Sequence, residues 1–341
     1  MTTHIARWDL DKTYLRTEFD TLRDLVTTAL ERPDQKRTNP GASTLLREMV
    51  RAGVRVHILS GSPEQMRRRL EDKLRLDGIV WDTFTLKPNL QNLLRLRFRA
   101  VREQLGYKLP ALLRARARLA EEGKRPAAFT ETLVGDDAEA DAYVYSLYAD
   151  FLAGHIGEDV LFRVLERARV YDDVVAAAMQ TARVVERADV VERILIHLER
   201  QTPPGDFSAY GPRIVPFYNY LQAAFVLHED GRLDADGVIR VAVELVTEHR
   251  FDGDALARSY RDLVRRGHLL GAAVDAIGTS VDAWLAQGQV PAREELRAMA
   301  ARLPAIADEA RAAATPRLPG AERPMPDYVE LAEAHNARRR R

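Results

Sequence analysis

Cysteine is absent from the 341 residues, which excludes a disulfide framework, thiolate zinc sites and cysteine nucleophiles, and fits a reducing compartment. An excess of one charge is missing too. Lys and Arg number 51 against 51 Asp and Glu, so no global field draws the chain onto nucleic acid, and a nucleic-acid partner is not expected. No apolar run approaches the roughly 18 residues of a membrane span, and the start lacks the basic and apolar segments of a signal peptide. The expectation is a cytoplasmic protein with no integral membrane segment. Aromatics make up only 7%, yet hydrophobic residues reach 46% and charged residues 30%, a globular composition rather than a disordered one. The length exceeds what one hydrophobic core usually serves, so two domains are expected.

The first half alternates strand-like runs at 5–9, 54–60, 78–86 and 128–134 with helical patterns at 18–30, 43–52, 93–105 and 109–122. Such alternation predicts βαβ units and a parallel sheet. From about residue 141 helical spacing takes over, with helices expected at 159–169, 172–200, 210–227, 235–250, 253–266, 269–287 and 292–314. The predicted fold class is therefore α/β, a Rossmannoid parallel sheet over 1–155, followed by an all-α domain over 156–315. Pro316, Pro319, Pro324 and Pro326 mark 316–341 as a Pro-rich, then basic, partly disordered tail ending in Arg338 to Arg341.

Several strands end in polar residues, and an open parallel sheet binds its ligands beyond the carboxyl ends of its strands. The first delivers Asp9 and Asp11, alternate residues able to reach one crevice while Leu10 packs away. The second delivers Ser60, whose hydroxyl and the following Gly61 and Ser62 amides suit an anion. The fourth delivers Asp136 and Asp137, with Asp141 a helical turn further on. Oxygen ligands clustered without thiolates suit Mg²⁺ with positions left open for phosphate and water.

These residues, in this order, resemble a family. Asp9-Leu10-Asp11-Lys12-Thr13, Ile58-Leu59-Ser60, Lys108 and Gly135-Asp136-Asp137-Ala138-Glu139-Ala140-Asp141 resemble the four ordered motifs of haloacid dehalogenase-like phosphohydrolases. Residues 57–63 and 133–145 are most similar to the catalytic domain of actin-patch-associated phosphatidate phosphatases, although Lys12 stands where those relatives usually carry an acidic residue. The resemblance covers about the first 155 residues and is silent on the helical half. It implies a Mg²⁺-dependent phosphomonoester hydrolase with a small cap or none. It assigns Asp9 as the nucleophile, Asp11 as the acid and base, and Thr13 as a brace for the loop. Ser60 and Gly61 would bind phosphoryl oxygens, Lys108 would offset charge, and Asp9, the Asp11 carbonyl and Asp136 would hold the metal, supported by Asp137 or Asp141. Lys87 and Lys124 compete with Lys108 for the third motif.

A phosphorylated substrate is the expected partner, a lipid phosphate such as phosphatidate being the narrower form. Two other readings stand beside it. One is a non-enzymatic module whose helical half binds a protein partner; the other is a phosphatase acting on nucleic-acid ends or phosphoproteins. Arg95, Arg97, Arg99 and Arg102 form a local basic stretch that reads as a solvated helix face before it reads as a membrane contact.

Overall fold

A computed structural model describes residues 2–16, 36–87, 101–123, 125–288, 290–313 and 325–337. In chain order its elements are β1 (Thr3–Trp8), α1 (Ala42–Arg51), β2 (Arg55–Pro63), α2 (Arg67–Leu76), β3 (Thr83–Lys87), α3 (Val101–Leu119), β4 (Phe129–Asp136), α4 (Asp141–Leu152), α5 (Glu158–Arg167), α6 (Asp172–Val184), β5 (Val191–His197), β6 (Ile214–Phe217), α7 (Tyr220–Glu229), α8 (Ala235–His249), α9 (Gly253–Arg265), α10 (Val274–Ala286), α11 (Arg293–Ala313) and α12 (Tyr328–Ala337). The strands form one all-parallel sheet in the order β3-β2-β1-β4-β5-β6. The expected α/β class with a parallel sheet and following helices is what the chain adopts.

Strands of a parallel sheet covered on both faces are buried along their length rather than alternately. β4 shows it, with seven of its eight residues buried. That burial includes polar side chains, which pair with one another. Arg7 donates to both Glu131 carboxylate oxygens at 2.7 and 2.9 Å, Arg116 donates to Glu131 Oε1 at 3.1 Å, and Tyr148 donates to Glu131 Oε2 at 3.0 Å. Two guanidiniums around one carboxylate hold Glu131 down to about 2 against burial that would raise it. His57 lies 3.5 Å from Arg7, and burial with the nearby cations pushes it down to about 3, so it is a neutral core histidine. These contacts lock β1, β2 and β4 side by side.

The second half is not purely helical. β5 breaks the helix expected over 172–200, and β6 breaks that over 210–227; both join the sheet. Val190, Val191, Ile194, Leu195 and Ile196 are buried there, and a β-branched run of that length favours a strand once a sheet edge stands ready to receive it. The helix expected to start at residue 109 instead runs through it from Val101, with Pro110 inside. The tail carries α12, whose Tyr328 and Ala332 are buried among apolar side chains of α3, α4 and α5. The helix expected at 18–30, most of that at 93–105, Arg95, Arg97, Arg99, Lys124 and Arg338 to Arg341 lie outside the described residues. Arg102 is described; its guanidinium stacks over the Tyr171 ring at 4.0 Å.

The described residues divide into two compact units, one drawn from 1–37, 55–216 and 324–341, the other from 38–54 and 217–323. The boundary expected at 155/156 thus falls inside the first unit, because β5, β6 and α12 complete it. In the second unit α1 packs against α7 and α8. Gly41 takes φ 83° there, and a Cβ on it would stand 3.0 Å from that of Tyr220, so glycine serves both the turn and the close approach. Asn219, Asp234 and Asp252 cap α7, α8 and α9 by accepting from the Gln222, Gly237 and Ala255 amides. The aromatic segment at 217–220 serves packing, with Phe217 and Tyr220 edge to face at 5.1 Å.

Candidate functional site: a buried carboxylate cluster around one lysine

Sheet order reverses between β1 and β4, and crevices at such switch points collect ligands. Register brings three strand ends level there. Trp8 pairs with Ile58 on one side and Val134 on the other, so Asp9 follows one residue beyond the pair while Ser60 and Asp136 follow two beyond. The Asp9 amide donates to the Val134 carbonyl at 2.9 Å, extending the ladder into the site. Lys12 takes φ 61°, rare for a residue with a Cβ, and the Tyr14 and Leu15 amides close the loop onto the Leu10 carbonyl. That turn aims both Asp11 and Thr13 at the crevice.

Asp9, Thr13, Ser60, Lys108, Asp136 and Asp141 are each 0% exposed. Lys108, on α3, reaches Asp9 Oδ1 at 3.1 Å, Glu139 Oε2 at 2.9 Å and Asp141 Oδ1 at 2.5 Å. The Thr13 hydroxyl stands 3.2 Å from both Asp9 Oδ2 and Asp136 Oδ2, one proton facing two carboxylates. Asp136 Oδ1 accepts from the Ala138 and Glu139 amides at 2.6 and 3.0 Å, and the Asp136 amide donates to Asp141 Oδ2 at 3.2 Å. Gly135 makes this possible, because a Cβ there would lie 2.7 Å from the Asp141 Cβ.

Asp11 stands apart. Its Oδ2 accepts from the Ser60 and Ser62 hydroxyls, both at 2.8 Å, and the Ser60 Oγ accepts from the Ser62 amide at 3.0 Å. Ser62 lies two residues beyond Ser60 on the same strand, hence on the same side. Its hydroxyl escaped the sequence reading, as did the Glu139 carboxylate. A Cβ on Gly61 would meet nothing within 4 Å, so open space adjoins the backbone at that point.

Of the two candidates for the last carboxylate, Asp141 joins the cluster. Asp137 instead accepts from the Arg200 and Thr202 amides at 2.8 and 3.0 Å, tying the end of β4 to the loop after β5. His197 at the end of β5 stands 3.4 Å from the Lys12 carbonyl; a carbonyl only accepts, so Nδ1 carries the proton. Burial pushes His197 down to about 4 and keeps it neutral. Lys108, not Lys87, is the lysine that reaches these groups.

Crowding sets the electrostatics. Burial raises the Asp9 carboxyl well above the carboxylate range; Lys108 opposes this, and Asp141, Glu139 and Asp136 reinforce it. Asp136 is likewise raised well above its ordinary value, by burial and then by Asp141 and Glu139. Burial pushes Asp141 up to about 6 despite Lys108. Asp11 is raised by burial, opposed by the two serine bonds. Burial disfavours the Lys108 ammonium, but Asp141, Asp9 and Glu139 more than reverse that, so it stays charged.

Ligand oxygens of Asp9, Asp136 and Asp141 all lie within 4.8 Å of one another, a group that could hold a metal ion. Two observations fit a cation at this place: the buried Asp9 Oδ1 accepts no hydrogen bond, its charge met only by the Lys108 ammonium at 3.1 Å, and the donors are all hard oxygens, which suit a divalent ion of the Mg²⁺ or Ca²⁺ kind. Among the described residues, no helix is long and apolar enough to cross a membrane. Compared with known proteins, the chain matches no family model, no curated protein and no solved structure.

Proposed function

We propose that the chain is a Mg²⁺-dependent phosphomonoester hydrolase that works by transferring the phosphoryl group to Asp9. The observation that supports this best is the division of labour between two carboxyls from one strand end. Asp9 lies among the ammonium of Lys108 and the other metal-binding carboxylates, whereas Asp11 is held aside by Ser60 and Ser62. A nucleophile and a general acid need that separation, because one must be ionised while the other carries a proton. The ordered motifs that resemble haloacid dehalogenase-like phosphohydrolases point the same way.

In the first step an Asp9 oxygen attacks phosphorus, the ester P–O bond breaks, and Asp11 gives its proton to the departing oxygen. Ser60 and Ser62 both donate to Asp11 Oδ2, which leaves Oδ1 as the oxygen that carries the proton. In the second step Asp11, now ionised, takes a proton from water, which displaces Asp9 from the phosphoryl group and releases inorganic phosphate. Lys108 balances charge on the moving phosphoryl oxygens, and Thr13 keeps Asp9 and Asp136 in register. Asp9, Asp136 and Asp141 would hold the divalent cation, which would supply electrostatic neutralisation of the phosphoryl charge.

Release of phosphate from an aryl phosphate, phosphatidate, a nucleotide and a phosphopeptide, each with and without Mg²⁺, tests the reading. The expected result is turnover that needs the cation and disappears in Asp9→Asn. The preferred panel member decides the narrower lipid-phosphate reading. A folded, Mg²⁺-binding protein that turns over none of the panel would overturn the phosphohydrolase and favour the protein-interaction reading.

A further inference from the structure

Glu139 has no part in the chemistry above, yet it takes one of the three donors of Lys108. Its side chain is 12% exposed, whereas those of Asp9, Lys108 and Asp141 are 1%, 0% and 0% exposed. It is thus the outermost of the three carboxylates on the ammonium. Its backbone amide is committed separately, donating to Asp136 Oδ1, so the side chain can leave Lys108 without unmaking that turn.

Resting on the phosphohydrolase reading, we propose that Glu139 is a built-in competitor for the phosphoryl group: it occupies the Lys108 donor that phosphoryl oxygens take on binding, and reclaims it when phosphate departs. The charge arrangement requires something of this kind. Asp9, Glu139 and Asp141 surround a single ammonium, with Asp11 and Asp136 adding negative charge nearby, and an ammonium offers three donors and no more. Two donate to Glu139 and Asp141, and Asp9 Oδ1 stands 3.1 Å away as a third ion-pair partner. A phosphoryl dianion entering beside them meets like charge at short range in a buried site, where screening is weak. Withdrawal of Asp9 would remove the nucleophile and withdrawal of Asp141 a ligand, whereas withdrawal of Glu139 costs neither. The exchange swaps one anion for another on the same cation, so phosphate is held weakly and product leaves readily. Because Glu139 must be displaced for substrate as for product, it loosens both alike.

The test measures inorganic phosphate, in the full chain at saturating Mg²⁺, by calorimetry and as a competitor of aryl phosphate turnover. Glu139→Gln keeps an oxygen acceptor but removes the charge; Glu139→Ala removes both. Each should tighten phosphate by about tenfold or more, the usual worth of a charge-assisted contact, and lower KM for the aryl phosphate by a similar factor. The Mg²⁺ affinity, titrated separately, checks that the cation site survives. If wild-type turnover depends on Asp9 while both variants bind phosphate no more tightly than wild type, Glu139 is only a structural partner of Lys108 and this inference alone falls. If wild type and variants all fail to bind phosphate and to turn over, it falls together with the phosphohydrolase reading.

Discussion

Replacing a carboxylate of the candidate metal site should stabilise this protein when divalent cations are withheld. Asp141 is the clearest case, since burial pushes it from an ordinary 3.8 to about 6 even with Lys108 at 2.5 Å in its favour. A raised acid binds its proton more tightly folded than unfolded, so its stability contribution declines as pH rises from about 4 to about 6 and stays low above that. At about 1.4 kcal/mol per tenfold, the ionised form costs the fold on the order of 3 kcal/mol at pH 7.5. Asparagine approximates the neutral acid in shape and can still accept from the Asp136 amide. In chelator at pH 7.5, Asp141→Asn should therefore melt several degrees above wild type, taking roughly 2–4 °C per kcal/mol for a unit of this size. At pH 4 the gap should close. With Mg²⁺ at about a thousand times Kd the order should reverse, because only wild type gains binding energy, about 4.1 kcal/mol at that excess. Calorimetric melts with chelator and with Mg²⁺ across that pH range read all three effects. A variant no more stable than wild type in chelator at pH 7.5 would refute the view that this cluster is a destabilised, charge-crowded site.

Gly135→Ala should abolish Mg²⁺ binding in calorimetry while leaving a folded chain, because its Cβ lands on the Asp141 side chain and only backbone movement or loss of Asp141 from the cluster relieves that. Glu131→Gln removes the carboxylate that the buried Arg7 and Arg116 share, which should cost about 3–5 kcal/mol in denaturant melts at pH 7. Glu131 is held down to about 2, so its contribution is complete above about 4.5 and is lost as pH falls towards 2. The penalty of the variant should shrink over that interval.

The site was legible where strand and loop chemistry stand next to each other in sequence. Asp9 with Asp11, Ser60, and Gly135 with Asp136 each sit at the end of an apolar run, and parallel pairing brings such ends level. The choice between Asp137 and Asp141 was not legible, because it depends on β5: the Arg200 and Thr202 amides that capture Asp137 follow a strand hidden in a segment with helical spacing. Residues 172–200 carry apolar side chains that suit a helix as well as a buried strand, and only the sheet edge offered by β4 decides between them. β6 is four residues long and contains Pro216, which tells against a central strand but not against one at the edge of a sheet, where β6 lies. Lys108 could not be picked from its surroundings, since Pro110 reads as a helix start and the helix runs through it. The Ser62 hydroxyl was available from strand alternation alone, two positions after Ser60.

The order in which the chain is made bears on the last helix. Tyr328 donates to Asp150 at 2.5 Å, and its carbonyl accepts from Tyr143 at 2.6 Å, partners separated by 178 and 185 residues. Everything from 217 to 313 is therefore synthesised before the sheet-containing unit receives α12, and until then Asp150 and the apolar face beneath Tyr328 wait uncovered. Contacts of that span are slow to form, since loop closure precedes any gain from them. A nascent or prematurely ended chain carries the whole carboxylate cluster yet displays a sticky, unfinished flank, the kind of surface that chaperones and proteases read. The unit that holds the candidate site is thus finished only once α12 has been made and docked.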